Sequence, residues 1–396
     1  MEIKQIYELV NDVTTEILGE QGILTEDLSN VVDIGKEIFN QNSMDKYVRS
    51  LVDHIGKVIF VNRPYSGTAP SVLRDGWEYG AVCEKIMAQM PKATENESWE
   101  LEDGVSYDPN IFYKPEVSAK FFNKRTTWEI PLSFTEMQAR GSFSSASQMN
   151  GFISMLHTSV ENSKTIKTSD MIMRTINSMI ASTFYDLDSG GTYTGKSGMK
   201  CVNLLYLYNQ AYTSSPIYDV GEAIQTPAFI KFAAYVIGLY KDRLKKMSTL
   251  FNIGKQPRFT NGDRLHTIFL SEFEMATEVF LQSNIYHDNL VKLPEAETVP
   301  FWQGSGTDYA IGNTSKIQVT VPTGVGDNTT SVTADGILGV MFDREALGVC
   351  NERQRVTTNY NPKAEFFTNW YKVDTGYWND WNENFVVFYA KDVSGN

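Results

Sequence analysis

Basic residues are in short supply: 35 Lys and Arg stand against 48 Asp and Glu, a net charge of −13 over 396 residues. A dedicated nucleic-acid binder draws its affinity from cations that displace counterions from phosphates, so this balance argues against one. Cysteine is equally sparse. Cys83, Cys201 and Cys350 are odd in number and far apart, which excludes a disulfide framework and points to a reducing compartment. The four histidines, His54, His157, His266 and His287, have no second His or Cys at ligand spacing, so we assign no metal site and no cofactor. Long apolar runs are missing too: Phe232 to Tyr240 is bounded by Lys231 and Lys241, far short of the ~20 residues needed to cross a bilayer. The opening MEIKQIYELV lacks the apolar centre of a signal peptide. These absences predict a soluble protein made in the cytoplasm, with no membrane partner. With 42% hydrophobic residues and only 28 Gly and 13 Pro, the chain is neither disordered nor collagen-like, and its length suits two or three domains with a sizeable core.

Apolar residues Ile6, Val10, Val13 and Ile17 recur every three or four positions, which predicts a helix over 2–18. Ser43 reads as an N-cap ahead of Tyr47, Leu51, Val52 and Ile55, and the β-branched run Lys57 to Val61 shifts the period toward a strand. Such an N-terminal arm has little core of its own. Residues 62–132 are punctuated by Pro64, Gly67, Pro70, Gly76, Gly80 and Pro91, then by Gly104, Pro109 and Pro115, too often for long regular elements. Between Glu95 and Asp108 lie six acids and no Lys or Arg, followed by strand alternation at Val117, Ala119 and Phe121 and again at Trp128, Ile130 and Leu132. Lys114, Lys120, Lys124 and Arg125 line the return. The pattern predicts one long hairpin with an acidic tip and a basic stem, too poor in core residues to pack alone. Pro131 cannot donate to a ladder and places its strand at a sheet edge or near a strand end.

Met149, Phe152, Ile153, Leu156 and Val160, then Ile172, Ile176, Met179 and Ile180, predict one long helix, or two in series, over 145–185. Thr226 and Pro227 open a helix carrying Phe229 to Leu244, and Ser271 with Glu274 opens another after a strand at Leu265 to Leu270. Further strands are expected at Ile317 to Val321 and Ile337 to Phe342. From Tyr360 to Tyr389 eleven of thirty residues are aromatic. They read either as a β core with a subunit contact or as a stacking surface for bases or sugars; the interleaved Asp374, Asp380 and Glu383 would repel a phosphate backbone, and we read core and contact.

One motif carries chemistry. Gly190 to Ser197, GGTYTGKS, fits the G-x-x-x-x-G-K-[ST] phosphate loop, and Asp343 after an apolar strand has the look of a Walker B carboxylate. A real phosphate loop needs a strand before it and a helix after it, so that backbone N–H groups converge on the anion. Here a helix end bearing Asp186 and Asp188 precedes it, and Gly198 weakens the first turn of the helix that must come next; a glycine-serine turn is the simpler reading. Asp186 and Asp188 lack the further carboxylates of a calcium loop. There is no G-x-S-x-G elbow, the cysteines lie in apolar stretches without a neighbouring His, and no acid–base pair stands out. We assign no catalytic residue and expect no enzyme.

The segment Gly336 to Tyr389 has a strand ending in an acid, then Ala-Leu-Gly, a Thr-Thr-Asn-Tyr-Asn stretch and an aromatic return; with LVDHIGKVIFVNRPY at Leu51 to Tyr65, it resembles tailed-phage major capsid proteins, in the manner of a short-tailed phage member. The order of elements along nearly the whole chain is similar too. The resemblance implies an α+β fold, the tailed-phage major capsid (Johnson) fold, in four parts: an N-terminal arm (1–56), an extended loop or E-loop (57–130), a peripheral P-domain with a long spine helix (131–190 and 350–396) and an axial A-domain (191–349). It implies a structural protein that self-assembles into pentamers and hexamers of an icosahedral shell in the virion. Scaffolding protein and portal would be its partners, and packaged DNA would be enclosed without sequence-specific binding. The alternative is a P-loop nucleotide-binding protein using Gly190 to Ser197; a third reading is another virion or cell-surface structural protein, from the aromatic C-terminus and the Thr/Gly-rich strands at 313–335.

Overall fold

A computed structural model describes residues 3–19, 23–40, 43–61, 68–74, 83–88, 103–104, 110, 112, 114, 117–122, 124–188, 195–282, 296–303, 311–323 and 328–393. Three helices come first: α1 (Ile3–Leu18), α2 (Val31–Asn40) and α3 (Met44–Val61). The strand expected at Lys57 to Val61 is instead the last turn of α3. Extending an existing helix adds one hydrogen bond per residue fixed, whereas a strand there would need a partner, and β propensity is too weak to override that. The arm also has more core than its sequence suggests. Ile6, Val10 and Val13 of α1, Ile34 and Ile38 of α2 and Val48, Leu51 and Ile55 of α3 are buried together.

That core is completed from far along the chain. The 43-residue helix α5 (Ala146–Asp188), preceded by the short α4 (Glu136–Ser142), spans about 65 Å at 1.5 Å per residue. It is one helix, not two. Its first half gives Met149, Phe152, Ile153, Leu156 and Val160 to the arm's core, and its second half gives Ile172, Ile176, Met179, Ile180 and Phe184 to a larger one. A four-stranded sheet lies over the first core, in the order β1 (Leu73–Arg74), β11 (Leu347–Asn361), β12 (Phe366–Asn379) and β4 (Arg125–Thr135). Along β12 burial alternates strictly from Phe367 to Thr375, so one face meets the helices, with Phe134 edge-on to Phe152 at 5.2 Å. β4 is the edge strand that Pro131 signals, and it ends where Thr135 and Gln138 form a reciprocal cap that starts α4.

The larger core surrounds a five-stranded sheet, ordered β5 (Cys201–Asn203), β13 (Phe385–Tyr389), β10 (Ile337–Asp343), β6 (Leu265–Leu270) and β7 (Glu297–Val299). Every residue of β10 and β13 is buried, as expected of strands covered on both faces. Gly339 is needed there: a Cβ would sit 2.3 Å from the Phe269 ring. Around the sheet pack α6 (Leu204–Ala211), α7 (Val220–Gln225), α8 (Pro227–Arg243) and α9 (Ser271–Gln282). Pro227 opens α8 as the sequence indicates, but the Thr226 hydroxyl donates back to the Glu222 carbonyl at 2.8 Å instead of capping forward. The fold is thus α+β, with helices and two sheets joined by one long helix. Two hairpins complete it, β2 (Cys83–Ala88) with β3 (Val117–Phe122), and β8 (Ile317–Pro322) with β9 (Thr329–Ala334); a one-turn α10 (Ile311–Thr314) precedes the latter.

Candidate assembly site

The β2–β3 ribbon is the stem of the hairpin expected from sequence, and its register pairs Lys85 directly with Lys120. Like charges opposite one another repel across a ladder. They are tolerated because both reach Asp380, whose carboxylate is fully buried: Lys85 Nζ lies 2.9 Å from Oδ2 and Lys120 Nζ 2.9 Å from Oδ1. Lys85 also meets Glu383 at 2.6 Å, and Glu383 meets Arg258 at 3.2 Å. Burial alone would raise the Asp380 pKa, but the two ammonium groups outweigh it and hold the carboxyl below its usual range. Burial likewise pulls Lys85 down, and Asp380 and Glu383 more than reverse it. The stem is clamped at its root by its own chain. Beside the clamp, Phe122 stands 6.2 Å from Trp378, over a hollow of about 280 Å³ that Arg174 and Trp381 also line.

Two apolar residues of the hairpin are exposed. Phe121 is 62% exposed and Phe112 83% exposed. Most of Glu95 to Asp108, the acidic tip, lies outside the described residues; Asp103 and Gly104 form a turn, with Gly104 at φ +91°.

The described flanks of the glycine motif are not those of a phosphate loop. Gly190 to Thr194 are outside the described residues, but both flanks are described and neither suits phosphate binding, since α5 precedes the motif and strand β5 begins within four residues of Ser197. Asp186 is paired with Lys200. Gly195 to Ser197 are tied into the fold, with the Gly195 carbonyl accepting from Asn203 Nδ2, Lys196 O accepting from Tyr389 at 2.6 Å and Ser197 Oγ accepting from Asn203 N at 3.3 Å. Asp343 is at the other end of β10. Tyr389 pairs with Ile337, so Asp343 is six residues, roughly 20 Å, further along the strand, where its carboxylate accepts from Glu345 N at 2.9 Å and faces Arg264 at 3.4 Å.

The scattered chemistry stays scattered. His54 hydrogen-bonds the Ser50 carbonyl at 2.9 Å, His157 lies 3.3 Å from Glu161, and His266 packs on Phe342; His287 is outside the described residues. Burial lowers the pKa of both His157 and His266. Cys201 and Cys350 are buried and in no disulfide, and burial pushes the Cys201 pKa up, away from nucleophilic use. Among the described residues no group of three or more His, Cys, Asp or Glu could hold a metal ion, and no helix is long and apolar enough to cross a membrane. Phe367, Tyr371, Phe385, Phe388 and Tyr389 are buried, so the aromatic C-terminal run is core. Missed in sequence was the clamp; Lys120 was legible as part of a basic stem, but Lys85 was not singled out and nothing local marked the carboxylate partners.

The described residues thus build a two-core body with a ribbon clamped to it. The sequence profile of the Phi29-like phage major capsid protein family matches residues 10–389, and the chain belongs to that family. It is a structural protein of the virion capsid, and it associates with copies of itself in the capsid shell. No curated protein matches the sequence. Similar solved structures include a chain from the capsid structure of Staphylococcus phage Andhra, at 9% identity over 83% of this chain and 85% of that one (TM-score 0.49). A chain from the capsid structure of cyanophage P-SCSP1u is similar at 8% identity over 83% and 90% (TM-score 0.42).

Proposed function

We propose that this chain closes into pentamers and hexamers of an icosahedral shell by laying its hairpin over a neighbouring copy. The observation that carries this reading is the contrast within the hairpin: strands clamped by Asp380 and Glu383, with Phe121 beside the clamp and Phe112, on the tip side of it in sequence, both exposed. Head-to-tail contacts of that kind generate rings. In the capsid-fold division, 1–56 would be the arm, 57–130 the extended loop, 131–190 with 350–396 the peripheral part and 191–349 the axial part; β13 would then be the strand through which the peripheral part enters the axial sheet. The shell would form in the host cytoplasm with a scaffolding protein and a portal, would perform no catalysis, and would enclose DNA that its net negative charge does not grip. The test is negative-stain imaging of the full chain, purified alone or with scaffold. Rings or closed particles are expected; a chain that stays monomeric under both conditions contradicts the proposal.

A further inference from the structure

The hairpin β8–β9 stands apart from both large sheets, and among the described residues no strand lies beyond β8. Ile317 and Val321 are buried in the larger core with Val319 packed against it, which fixes the hairpin by its face. The outer edge of β8 is already partly used. At Gln318 the place of a next strand is taken by one side chain: Gln303 Oε1 accepts from Gln318 N at 2.5 Å, and Gln303 Nε2 donates to the Gln318 carbonyl at 3.2 Å. A carboxamide does there what the peptide group of an added strand would do. Backbone groups alternate in direction along an antiparallel strand, so Thr320 turns its N–H and C=O to the same side as Gln318, and Pro322 adds a C=O with no N–H.

Thr320 also walls two hollows, of about 700 and 280 Å³, that meet at Arg174 and Val319. The smaller is cationic and aromatic. Lys124 and Arg174 line it with Phe122, Tyr377, Trp378 and Trp381, and among the described residues no Asp or Glu does. The Arg174 guanidinium stands 5.7 Å over the Tyr377 ring, and Tyr377 N donates to the Lys124 carbonyl at 3.2 Å, so one tyrosine positions both cations. Neither cation forms an ion pair with a described residue. In a chain of net charge −13, two unneutralised cations beside an open strand edge select an anionic partner. Strand addition takes its affinity from main-chain hydrogen bonds and its specificity from side-chain pockets along the edge, and both parts are present here. We propose that the β8 edge and the hollow beside it form a strand-addition site for an extended acidic segment of a partner protein, its backbone paired with Thr320 and its carboxylate in the hollow with Lys124 and Arg174. The inference is independent of how copies of the chain join one another.

The test is fluorescence anisotropy of the full chain with two labelled, end-blocked peptides, Thr-Val-Glu-Glu-Val-Thr and its Lys-Lys counterpart; adjacent charges present one on either face of an added strand. Wild type is expected to bind the acidic peptide saturably and the basic one at least about tenfold more weakly. Thr320→Pro removes the edge N–H and leaves the β9 ladder intact, so it should abolish binding at an unchanged melting temperature. Lys124→Gln with Arg174→Gln should bring the two peptides to equal affinity without touching the strand, and this variant decides alone if Thr320→Pro melts early. Absence of saturable binding, equal binding of both peptides by wild type, or undiminished binding by a folded Thr320→Pro overturns the site. Glutarate competing as tightly as the acidic peptide overturns the strand and leaves an anion pocket only. Particles that form in wild type and are lost in folded Thr320→Pro, with no peptide present, give the edge to a second copy and overturn the proposal as well.

Discussion

Asp380 ties the hairpin to the body of the molecule. It is buried, it receives an ammonium from each strand of the hairpin, and its own amide donates to the Ala346 carbonyl at 2.7 Å. Removing one member of a buried ion cluster strands the others, at about 3–5 kcal/mol. Lys120 is about a third exposed and can turn to water, so Asp380→Asn is expected near the lower end, about 3 kcal/mol, by urea denaturation. The pH dependence follows from sign. Because the folded pKa of Asp380 is depressed, its contribution is present above the unfolded carboxyl value near 4 and disappears as pH falls through the lower folded value. Wild type should lose stability on acidification below about pH 4 more steeply than the Asn variant, and identical slopes would contradict the clamp. None of this is legible locally: Lys85 and Asp380 are 295 positions apart, and only tertiary structure makes them partners.

Elements whose evidence is local are the ones a sequence reveals. The 3.6-residue spacing of Ile6, Val10 and Val13, and the proline entry to α8, each lie within one element, and those helices form where the pattern indicates. The long helix was legible as apolar spacing on both sides of Glu161 to Asp170, though not as one piece, because the polar middle has no core to face. Pairings hide instead. That β13 joins β5 in parallel depends on residues nearly two hundred positions apart, and the arm's core depends on apolar faces of three helices that satisfy one another only when α5 and the sheet close over them. Gly151 tests the integrity of α5. It is exposed, a Cβ there would meet nothing within 4 Å, and glycine is the costlier residue in a helix interior. Gly151→Ala should raise stability by about 0.5–1 kcal/mol in thermal or denaturant unfolding, whereas a loss would indicate a bend at that position.

On the scale of the whole molecule, two cores joined by a helix of about 65 Å give a body that is complete in itself, and the hairpin is the part that is not. This division explains why composition reads as an ordinary globular protein while 62–132 reads as something that cannot stand alone. At the end of the glycine motif, Gly195 to Ser197 anchor the chain between α5 and β5 through Asn203 and Tyr389. Family membership fixes the role as a capsid protein. The contact that turns one copy into many is the remaining claim, and the variant that isolates it replaces residues 89–116 with a two-residue Asn-Gly turn between Ala88 and Val117, keeping Lys85, Lys120 and their carboxylates. Sedimentation velocity with a parallel melting curve is the measurement. The account predicts a monomer that melts with wild type and forms no rings or particles; a variant that assembles normally, or one that no longer folds, would contradict it.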